Sequence, residues 1–321
     1  MTTPPSINVS EVIKDDRQLR SLIGLGRADF EKLLTEFTAF LNEHQRKNRK
    51  GKPKKHRQRK IGGGRKSALG SPENQLFFIL FYLKTYPTYD ALAFMFNLSR
   101  GCAFESVQRL LPILKQTQKN LNVLPKRTTD DPQELLQLIE SVDHVLIDAT
   151  ERPIQRPQKP ARQKKHFSGK KGFHTVKNTM VSDTGKRILI LGETVPGSQH
   201  DYSLFKEEFD PKIDWFGSTK ASTDLGYQGI KTDYLSPENI HIPHKKPRKS
   251  KKNPDPQLTR QQQRENRRVG RVRVLVEQAI GGMKVFRVLT MRLRNHLKHW
   301  ADDFIFATAG LWNFKNSFVV Q

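Results

Sequence analysis

The sequence contains one cysteine, Cys102, in 321 residues. A single thiol allows neither an internal disulfide nor a cysteine-based zinc site, and this is typical of proteins from a reducing compartment. Long apolar runs are also missing, because the longest, Leu76–Leu83, is far shorter than the roughly 20 residues that a membrane-spanning helix needs. Residues 1–10 have no apolar segment of the signal-peptide type. We therefore expect a soluble intracellular protein with no membrane partner.

Acidic residues are scarce relative to basic ones. The chain has 57 Lys and Arg against 32 Asp and Glu, which gives a formal net charge of +25. The excess is concentrated in three runs, Arg46–Lys60, Arg156–Lys171 and His244–Lys252. Such runs repel themselves and belong in exposed loops or arms, as solvated linkers, as a nuclear localisation signal or as phosphate contacts. Three of them on an already basic protein favour a nucleic-acid partner.

The N-terminal half of the sequence is predicted to be helical. Apolar residues between Phe30 and Leu41 follow helical spacing and predict a helix of about three turns. After the glycines Gly62–Gly64, Ser71 and Pro72 mark the start of another helix. Thr88 caps the next, Tyr89–Phe96, and a third begins after the short turn Asn97–Ser99.

Three short helices with a tight turn before the last are typical of a helix-turn-helix, although an ordinary helical bundle has the same pattern. The third helix is expected to present polar side chains that reach base edges or phosphates. These side chains are Arg100, Glu105, Gln108 and Arg109.

From about residue 140 the pattern changes to short apolar runs. They predict five strands, at Val145–Ile147, His174–Val181, Arg187–Leu191, Lys220–Thr223 and Asn239–Ile242. Helices take over from about Gln261. The sequence therefore predicts an α/β domain, with a mixed sheet of about five strands flanked by helices.

Three carboxylates in this region suggest chemistry. Asp148 and Asp224 each follow a predicted strand, while Glu277 lies on a helix between Arg273 and Lys284. Buried carboxylates are costly unless they are paired or bound to a cation, and oxygen ligands suit Mg²⁺. Two such ions about 4 Å apart promote phosphoryl transfer. The alternative for Glu277 and Arg273 is a surface salt bridge at the i,i+4 spacing of a helix.

Several motifs in one order resemble the DDE transposases of bacterial insertion sequences, a group related to Harbinger-type nucleases. The resemblance spans about residues 20–318. Its motifs are LIGLGRADFEKLL, the helix-turn-helix around SPENQLFFILFYLKTYPTYDALAFMFNLS, HVLIDATERPIQRP, HFSGKKGFHTVKNTMV, PGSQHDYSLF, STDLGYQG and RVRVLVEQAIGGMK. A tyrosine that the group often carries three residues before the helix arginine is replaced by Gly270.

The resemblance implies an RNase-H-like domain whose catalytic and metal-binding triad is Asp148, Asp224 and Glu277. It also implies two Mg²⁺ ions, with Mn²⁺ as a substitute. Residues that contact DNA are expected to be Arg100, Gln108, Arg109, Lys170, Lys171, Arg273 and Lys284. His200 and Asp201 match the PGSxHD element, where they could orient a ligand, donate to a phosphate or cap the following helix, and we interpret them as supporting the site from behind.

The expected organisation is a helical segment over 1–45, a basic Gly-containing linker over 46–69, a helix-turn-helix domain over 70–120 and a catalytic domain over 140–321. The last includes a basic loop over 244–270. The expected function is an insertion-sequence transposase that binds terminal inverted repeats, hydrolyses DNA at the element ends and joins the 3′-hydroxyl to target DNA. The resemblance further implies a homodimer in the synaptic complex and a cytoplasmic, nucleoid-associated location, or a nuclear one in a eukaryote.

Two other functions stay open at this stage. One is a transposase-derived protein that binds DNA but no longer catalyses. The other is a generic basic RNA-binding protein, which would show no preference for duplex ends. Salt dependence does not separate them, because all nucleic-acid binding releases counterions.

Overall fold

The computed structural model describes residues 7–50, 68–250, 254–295, 298–317 and 320. Residues 51–60 of the first basic run, and the glycines Gly62–Gly64, lie outside the described residues. Within the described part of the chain, no helix is both long and apolar enough to span a membrane.

The chain begins with three helices, α1 (Val9–Lys14), α2 (Asp16–Ile23) and α3 (Arg27–Lys50). The apolar residues predicted between Phe30 and Leu41 are buried on one side of α3. The expected length of about three turns is wrong, since α3 has 24 residues. The helix continues past its apolar stripe because the following residues are mostly Glu, Gln, Lys and Arg, which favour helix without packing. It therefore crosses the expected boundary at residue 45.

The next three helices are α4 (Pro72–Thr85), α5 (Tyr89–Met95) and α6 (Arg100–Asn120). Each starts at the hydroxyl residue that precedes it, because Ser71, Thr88 and Ser99 accept a backbone N–H three residues on at 3.2 Å. These caps satisfy N–H groups that have no partner inside the helix. The predicted helix starts and the turn between α5 and α6 are confirmed.

The rest of the described chain alternates strands and helices. In order they are β1 (Lys126–Arg127), α7 (Pro132–Glu140), β2 (His144–Pro153), α8 (Pro160–His166), β3 (Phe167–Ser168), β4 (Phe173–Asp183), β5 (Ile188–Leu191), β6 (Val195–Pro196), α9 (Asp201–Glu208), β7 (Lys220–Ser222), α10 (Ile230–Asp233), β8 (Ile240–His241), α11 (Arg260–Met283) and α12 (Lys298–Lys315).

The strands form a mixed sheet in the order β1-β5-β4-β2-β7-β8. Strands β2, β4 and β5 pair antiparallel, whereas β7 and β8 run parallel to β2. The five predicted strands are all present, and β1, β3 and β6 are two-residue additions. Their sheet order, third-second-first-fourth-fifth with the second reversed, is the RNase-H-like arrangement. The predicted fold class, a helical region followed by an α/β domain, is confirmed.

Strand β2 is longer than its apolar run predicts. It has 10 residues and continues past Asp148 to Pro153, so the expectation that the strand ends at Asp148 is wrong. Its polar second half keeps pairing with β4, where Arg152 is opposite Val176. Arg152 is buried because its guanidinium donates to Asn178 Oδ1 at 2.7 Å and to the carbonyl of Ala301.

The two faces of the sheet belong to two hydrophobic clusters. Val145 and Ile147 pack with α7 and α9. Leu146 and Met180 point the other way, into a core that also contains the buried residues of α1–α6, α11 and α12. Gln118 of α6, fully buried, donates its side-chain amide to the carbonyl of Ala307 in α12 at 2.8 Å. Helices α4–α6 and one face of the mixed sheet therefore share one continuous core.

Candidate active site

Asp148 lies in the middle of β2, just beyond the point where β2 stops pairing with β7. The parallel pairing of β7 with β2 stops at Leu146 and Ser222, so Asp148 is the first residue of its face without a β7 partner. Its Oδ1 accepts the N–H of Ala149 at 2.7 Å. Burial raises the pKa of Asp148 to about 6, the negative charges of Asp224 and Asp201 act in the same direction, and Arg273 and the Ala149 N–H oppose them.

Asp224 follows β7 and is close enough to Asp148 for its negative charge to help raise the pKa of that carboxyl, which burial raises most. It caps the short turn Leu225–Tyr227, and its Oδ1 accepts the N–H of Gly226 at 2.7 Å. A Cβ at position 226 would lie 2.8 Å from Asp224 Oδ1 and 3.5 Å from Asp201 Oδ2. A glycine at position 226 therefore avoids a steric clash with the Asp224 carboxylate.

Glu277 reaches the site from α11. The guanidinium of Arg273, one turn earlier, places Nη2 3.6 Å from Glu277 Oε1 and 4.0 Å from Asp148 Oδ2. The side chain of Arg273 is 18% exposed and that of Glu277 is 56% exposed. Arg273 thus bridges a buried and an exposed carboxylate, and its Nε is buried without an acceptor. The i,i+4 pair of Arg273 and Glu277 is therefore present, but Arg273 also contacts Asp148, so the pair is not a simple surface salt bridge.

The donor set suits a hard divalent cation. All three acidic side chains offer oxygen, and like charges beside Asp148 raise its pKa, so a bound cation would relieve this repulsion. Among the residues that the structure describes, no group of three or more His, Cys, Asp or Glu side chains is already close enough to enclose a metal ion. Asp148 and Asp224 fit such an ion, while Glu277 is held by Arg273.

Two of the predicted DNA-contacting lysines lie near this site. Lys284 ends α11 and is half-buried; burial lowers its pKa, as do the positive charges of Lys171 and Arg152, whereas Asp148 and Glu151 raise it. Lys170 and Lys171 are exposed in the turn between β3 and β4. The structure therefore places Lys284 close to both Lys171 and Asp148.

His200 and Asp201 begin α9. The ring Nδ1 of His200 accepts the N–H of Tyr202 at 3.3 Å, so His200 caps the helix. Asp201 Oδ1 lies 2.6 Å from Lys177 Nζ. Lys177 also donates to the carbonyl of Gln199 at 2.6 Å and lies 3.7 Å from Glu151 Oε1.

Sequence reasoning missed Lys177 and Glu151, whose side chains are 5% and 9% exposed. The signal was a lysine inside the apolar strand pattern HTVKNTMV, because a buried lysine needs an anionic partner. The anionic partners of this lysine could not be identified from the sequence, because one lies on the neighbouring strand β2 and the other on helix α9.

The outer face of α6 differs from the expectation at one position. Arg100, Glu105 and Gln108 are exposed. Arg109 is not, and the expected outward orientation is wrong: its Nη1 donates to Gln75 Oε1 of α4 at 3.0 Å. The guanidinium satisfies Gln75, which is only 2% exposed, and so holds α6 on α4.

Comparison with known proteins agrees with this architecture. Residues 147–313 match the family described as DDE superfamily endonuclease, and residues 67–119 match the helix-turn-helix of DDE superfamily endonuclease. The chain therefore belongs to the DDE superfamily of endonucleases, among the transposases of insertion sequences. It is 31% identical over 246 residues to the "Probable transposase for insertion sequence element IS702" of Microchaete diplosiphon. This alignment covers 76% of this chain and 80% of that protein. No solved structure gives a significant match.

Proposed function

We propose that this transposase binds the terminal inverted repeats of its element, hydrolyses phosphodiester bonds at the element ends and joins the freed 3′-hydroxyl to target DNA. The observation that supports this most is the approach of Asp148 and Asp224 at the gap beside β2, with Arg273 linking Asp148 to Glu277. A buried carboxylate of raised pKa beside further carboxylates is typical of a functional site.

Asp148, Asp224 and Glu277 would hold two Mg²⁺ ions, with Mn²⁺ as a substitute. When bound, such ions activate the attacking oxygen and stabilise the leaving oxygen of phosphoryl transfer. In hydrolysis, a water oxygen bonds to phosphorus, the bond from phosphorus to the 3′-oxygen breaks, and that oxygen takes up a proton. In joining, the 3′-hydroxyl makes the same attack on a target phosphate and releases a target 3′-hydroxyl.

The chain's own cations would position the DNA around this chemistry. Arg273 is close enough to Asp148 to bind a phosphate at the reaction centre and to neutralise its charge. Lys171 and Lys284 add positive charge on the same side, and Lys170 extends it outward. His200 and Asp201 support the site from behind by fixing the start of α9.

Recognition of the repeats would use α6. Arg100 and Gln108 are exposed on one side of this helix and are available to base edges or phosphates. Arg109 would act indirectly, by holding α6 against α4. A homodimer in a synaptic complex fits the proposal, because two element ends must be joined in one reaction.

The test is metal-dependent nicking of a duplex taken from the DNA that flanks the gene. Wild type should cut at a fixed position with Mg²⁺ or Mn²⁺, whereas Asp148→Asn and Glu277→Gln should bind the duplex without cutting it. Asp143→Asn is the matched control, because this exposed carboxylate precedes the same strand and should leave nicking unchanged. Nicking by Asp148→Asn at the wild-type rate would refute the triad. Binding without nicking by wild type would favour a transposase-derived protein that only binds DNA.

A further inference from the structure

The catalytic helix α11 has a second basic face that the site does not use. Five arginines lie within the first twelve residues of this helix, and all are exposed. At about 100° per residue they fall within roughly 100° of one another around the helix axis. We call this surface the arginine face: Arg260, Arg264, Arg267, Arg268 and Arg271.

The arginine face points away from the active site. With the same rotation per residue, its centre lies roughly 140° around the helix from the side that carries Arg273 and Glu277. A phosphate held at Asp148 by Arg273 therefore cannot also contact this face. Whatever binds here belongs to a different stretch of the partner.

The N-terminal part of α11 also projects from the protein core. The buried residues of the helix, Val276, Ala279 and Met283, all lie in its last eight positions. Earlier along the helix, the contacts are with the loop after β8. The His244 side chain pairs with Glu265. The backbone N–H of His244 donates to Asn266 Oδ1 at 2.7 Å, and the backbone carbonyl of His244 accepts from Asn266 Nδ2 at 3.0 Å.

The arginine face lies next to few carboxylates in the described part of the chain. Glu265, whose pKa is lowered mainly by its hydrogen bond to His244 and also by the charge of Arg268, already pairs with that histidine. Within the described ranges, none of the five guanidinium groups makes a salt bridge within 4.0 Å. The loop that braces the helix adds Lys245, Lys246, Arg248 and Lys249. A projecting surface with this charge fits a polyanion.

The dimensions fit the backbone of duplex DNA. From Arg260 to Arg271 the helix rises about 16 Å, which is the axial length of about five base pairs of duplex DNA. Guanidinium groups bind phosphate oxygens bidentately, so a row of them on one helix face follows a backbone without reading its sequence.

We infer that the arginine face binds the backbone of a second duplex, distinct from the DNA held for cutting. This inference rests on the proposed function, because it assumes that the site on the other side of α11 receives the first duplex. One helix would then hold the reacting phosphate on one side and a second DNA on the other. The second duplex is bound without sequence preference, as suits a target.

The experiment is a bridging assay without metal. The protein is bound to an immobilised duplex from the DNA flanking its gene, and capture of a fluorescent mixed-sequence duplex is measured. The variant carries Arg264→Gln, Arg267→Gln and Arg271→Gln together. The charge-matched control carries Lys212→Gln, Lys220→Gln and Lys231→Gln, three exposed lysines around β7 and α10. Nicking of the first duplex with Mg²⁺ is measured in parallel.

The arginine variant should capture the second duplex about tenfold less and lower the salt slope of that capture by about 2.7, since each lost phosphate contact removes about 0.9. Its nicking of the first duplex should match wild type, and the control should capture the second duplex normally. Equal losses of nicking and capture would place the first duplex on the arginine face and overturn the inference. So would a variant that behaves like the control, or a wild type that captures no second duplex.

Failure of the proposed function gives a different result. A wild type that bridges two duplexes but never nicks would refute the endonuclease proposal and leave the role of the arginine face supported.

Discussion

Lys177 Nζ lies 2.6 Å from Asp201 Oδ1, and this ion pair ties the middle sheet strand β4 to the first residue of α9. Lys177 is almost fully buried and also approaches Glu151. The three side chains form a charge cluster, and its Asp201 is close enough to Asp148 to help raise the pKa of that carboxyl, which burial raises most. Lys177 compensates the charges of Asp201 and Glu151, so of the carboxylates near Asp148 these two already have a cation.

Removing the charge of Lys177 should therefore be costly. Lys177→Met leaves Asp201 and Glu151 without their cation, and breaking a buried pair from one side costs about 3 kcal/mol. We expect the free energy of unfolding, measured by urea titration, to fall by about that amount. Lys212→Met, at an exposed position, should change it by less than about 0.5 kcal/mol. If Lys177→Met also lowered the free energy of unfolding by less than about 0.5 kcal/mol, the ion pairs of Lys177 would not stabilise the protein.

The pH dependence of stability should contain a contribution from Glu208. Burial raises the pKa of this carboxyl to about 7, although Thr179, Thr128 and Arg127 act against it. The folded state thus keeps its proton over a range in which the unfolded state has lost it. Stability from this group is present below the unfolded pKa and falls by about 3 kcal/mol as the pH rises to about 7.

Glu208→Gln should remove this fall, which unfolding titrations at about pH 5 and about pH 7 would detect. The control is Glu207→Gln, at the exposed neighbouring position, which should keep the wild-type difference between the two pH values. A Glu208→Gln protein with the same pH profile as wild type would contradict the assignment.

Two adjacent glycines in α11 should respond in opposite directions to alanine. A Cβ at Gly282 would lie 1.9 Å from the ring of Trp312 in α12, whereas a Cβ at Gly281 would meet nothing within 4 Å. Gly282→Ala should destabilise the protein by about 1–3 kcal/mol through overpacking. Gly281→Ala should stabilise it by up to about 1 kcal/mol through helix propensity. Thermal unfolding of the two variants checks this, and equal melting temperatures would refute the close contact.

The two arginines of α6 should separate DNA binding from stability. Arg100→Gln removes an exposed cation and should reduce the salt slope of duplex binding by about 0.9 if it contacts one phosphate. Arg109→Met removes the donor to Gln75 Oε1 and should lower the free energy of unfolding by about 1–3 kcal/mol, since it leaves the oxygen of a buried amide without a partner. Fluorescence anisotropy and urea titration give the two quantities. A larger binding loss from Arg109→Met than from Arg100→Gln, at equal folded fraction, would reverse the two roles.

Sequence reasoning worked where local chemistry determines the structure. Ser71, Thr88 and Ser99 start helices because each hydroxyl accepts an N–H three residues on, and this is readable from a few neighbouring residues. Predictions from the sequence were wrong where the structure depends on a contact with a residue that is distant in the chain. Strand β2 extends past Asp148 because Asn178 and the Ala301 carbonyl satisfy Arg152, and neither contact has a local signal.

The candidate site follows the same division. The proposed triad was read from its motifs and stays a prediction, and the structure places Asp148, Asp224 and Arg273 as electrostatic neighbours. Lys177 and Glu151 were not predictable, because their roles depend on cross-strand register and on the placement of α9. The inward Arg109 has the same cause, since helical spacing alone does not show that α4 offers Gln75 as an acceptor.

The shared core of α6, α12 and the catalytic sheet has a consequence for where DNA is cut. A helix-turn-helix on a free tether would let the cutting site sample many positions along the duplex. Here Gln118 and Lys115 of α6 bond directly to α12, so the helix proposed to read DNA and the carboxylates proposed to react are joined through one core. The number of base pairs between the recognised sequence and the scissile phosphate is then a property of the fold, and lengthening that spacing in the DNA should abolish cutting instead of shifting it.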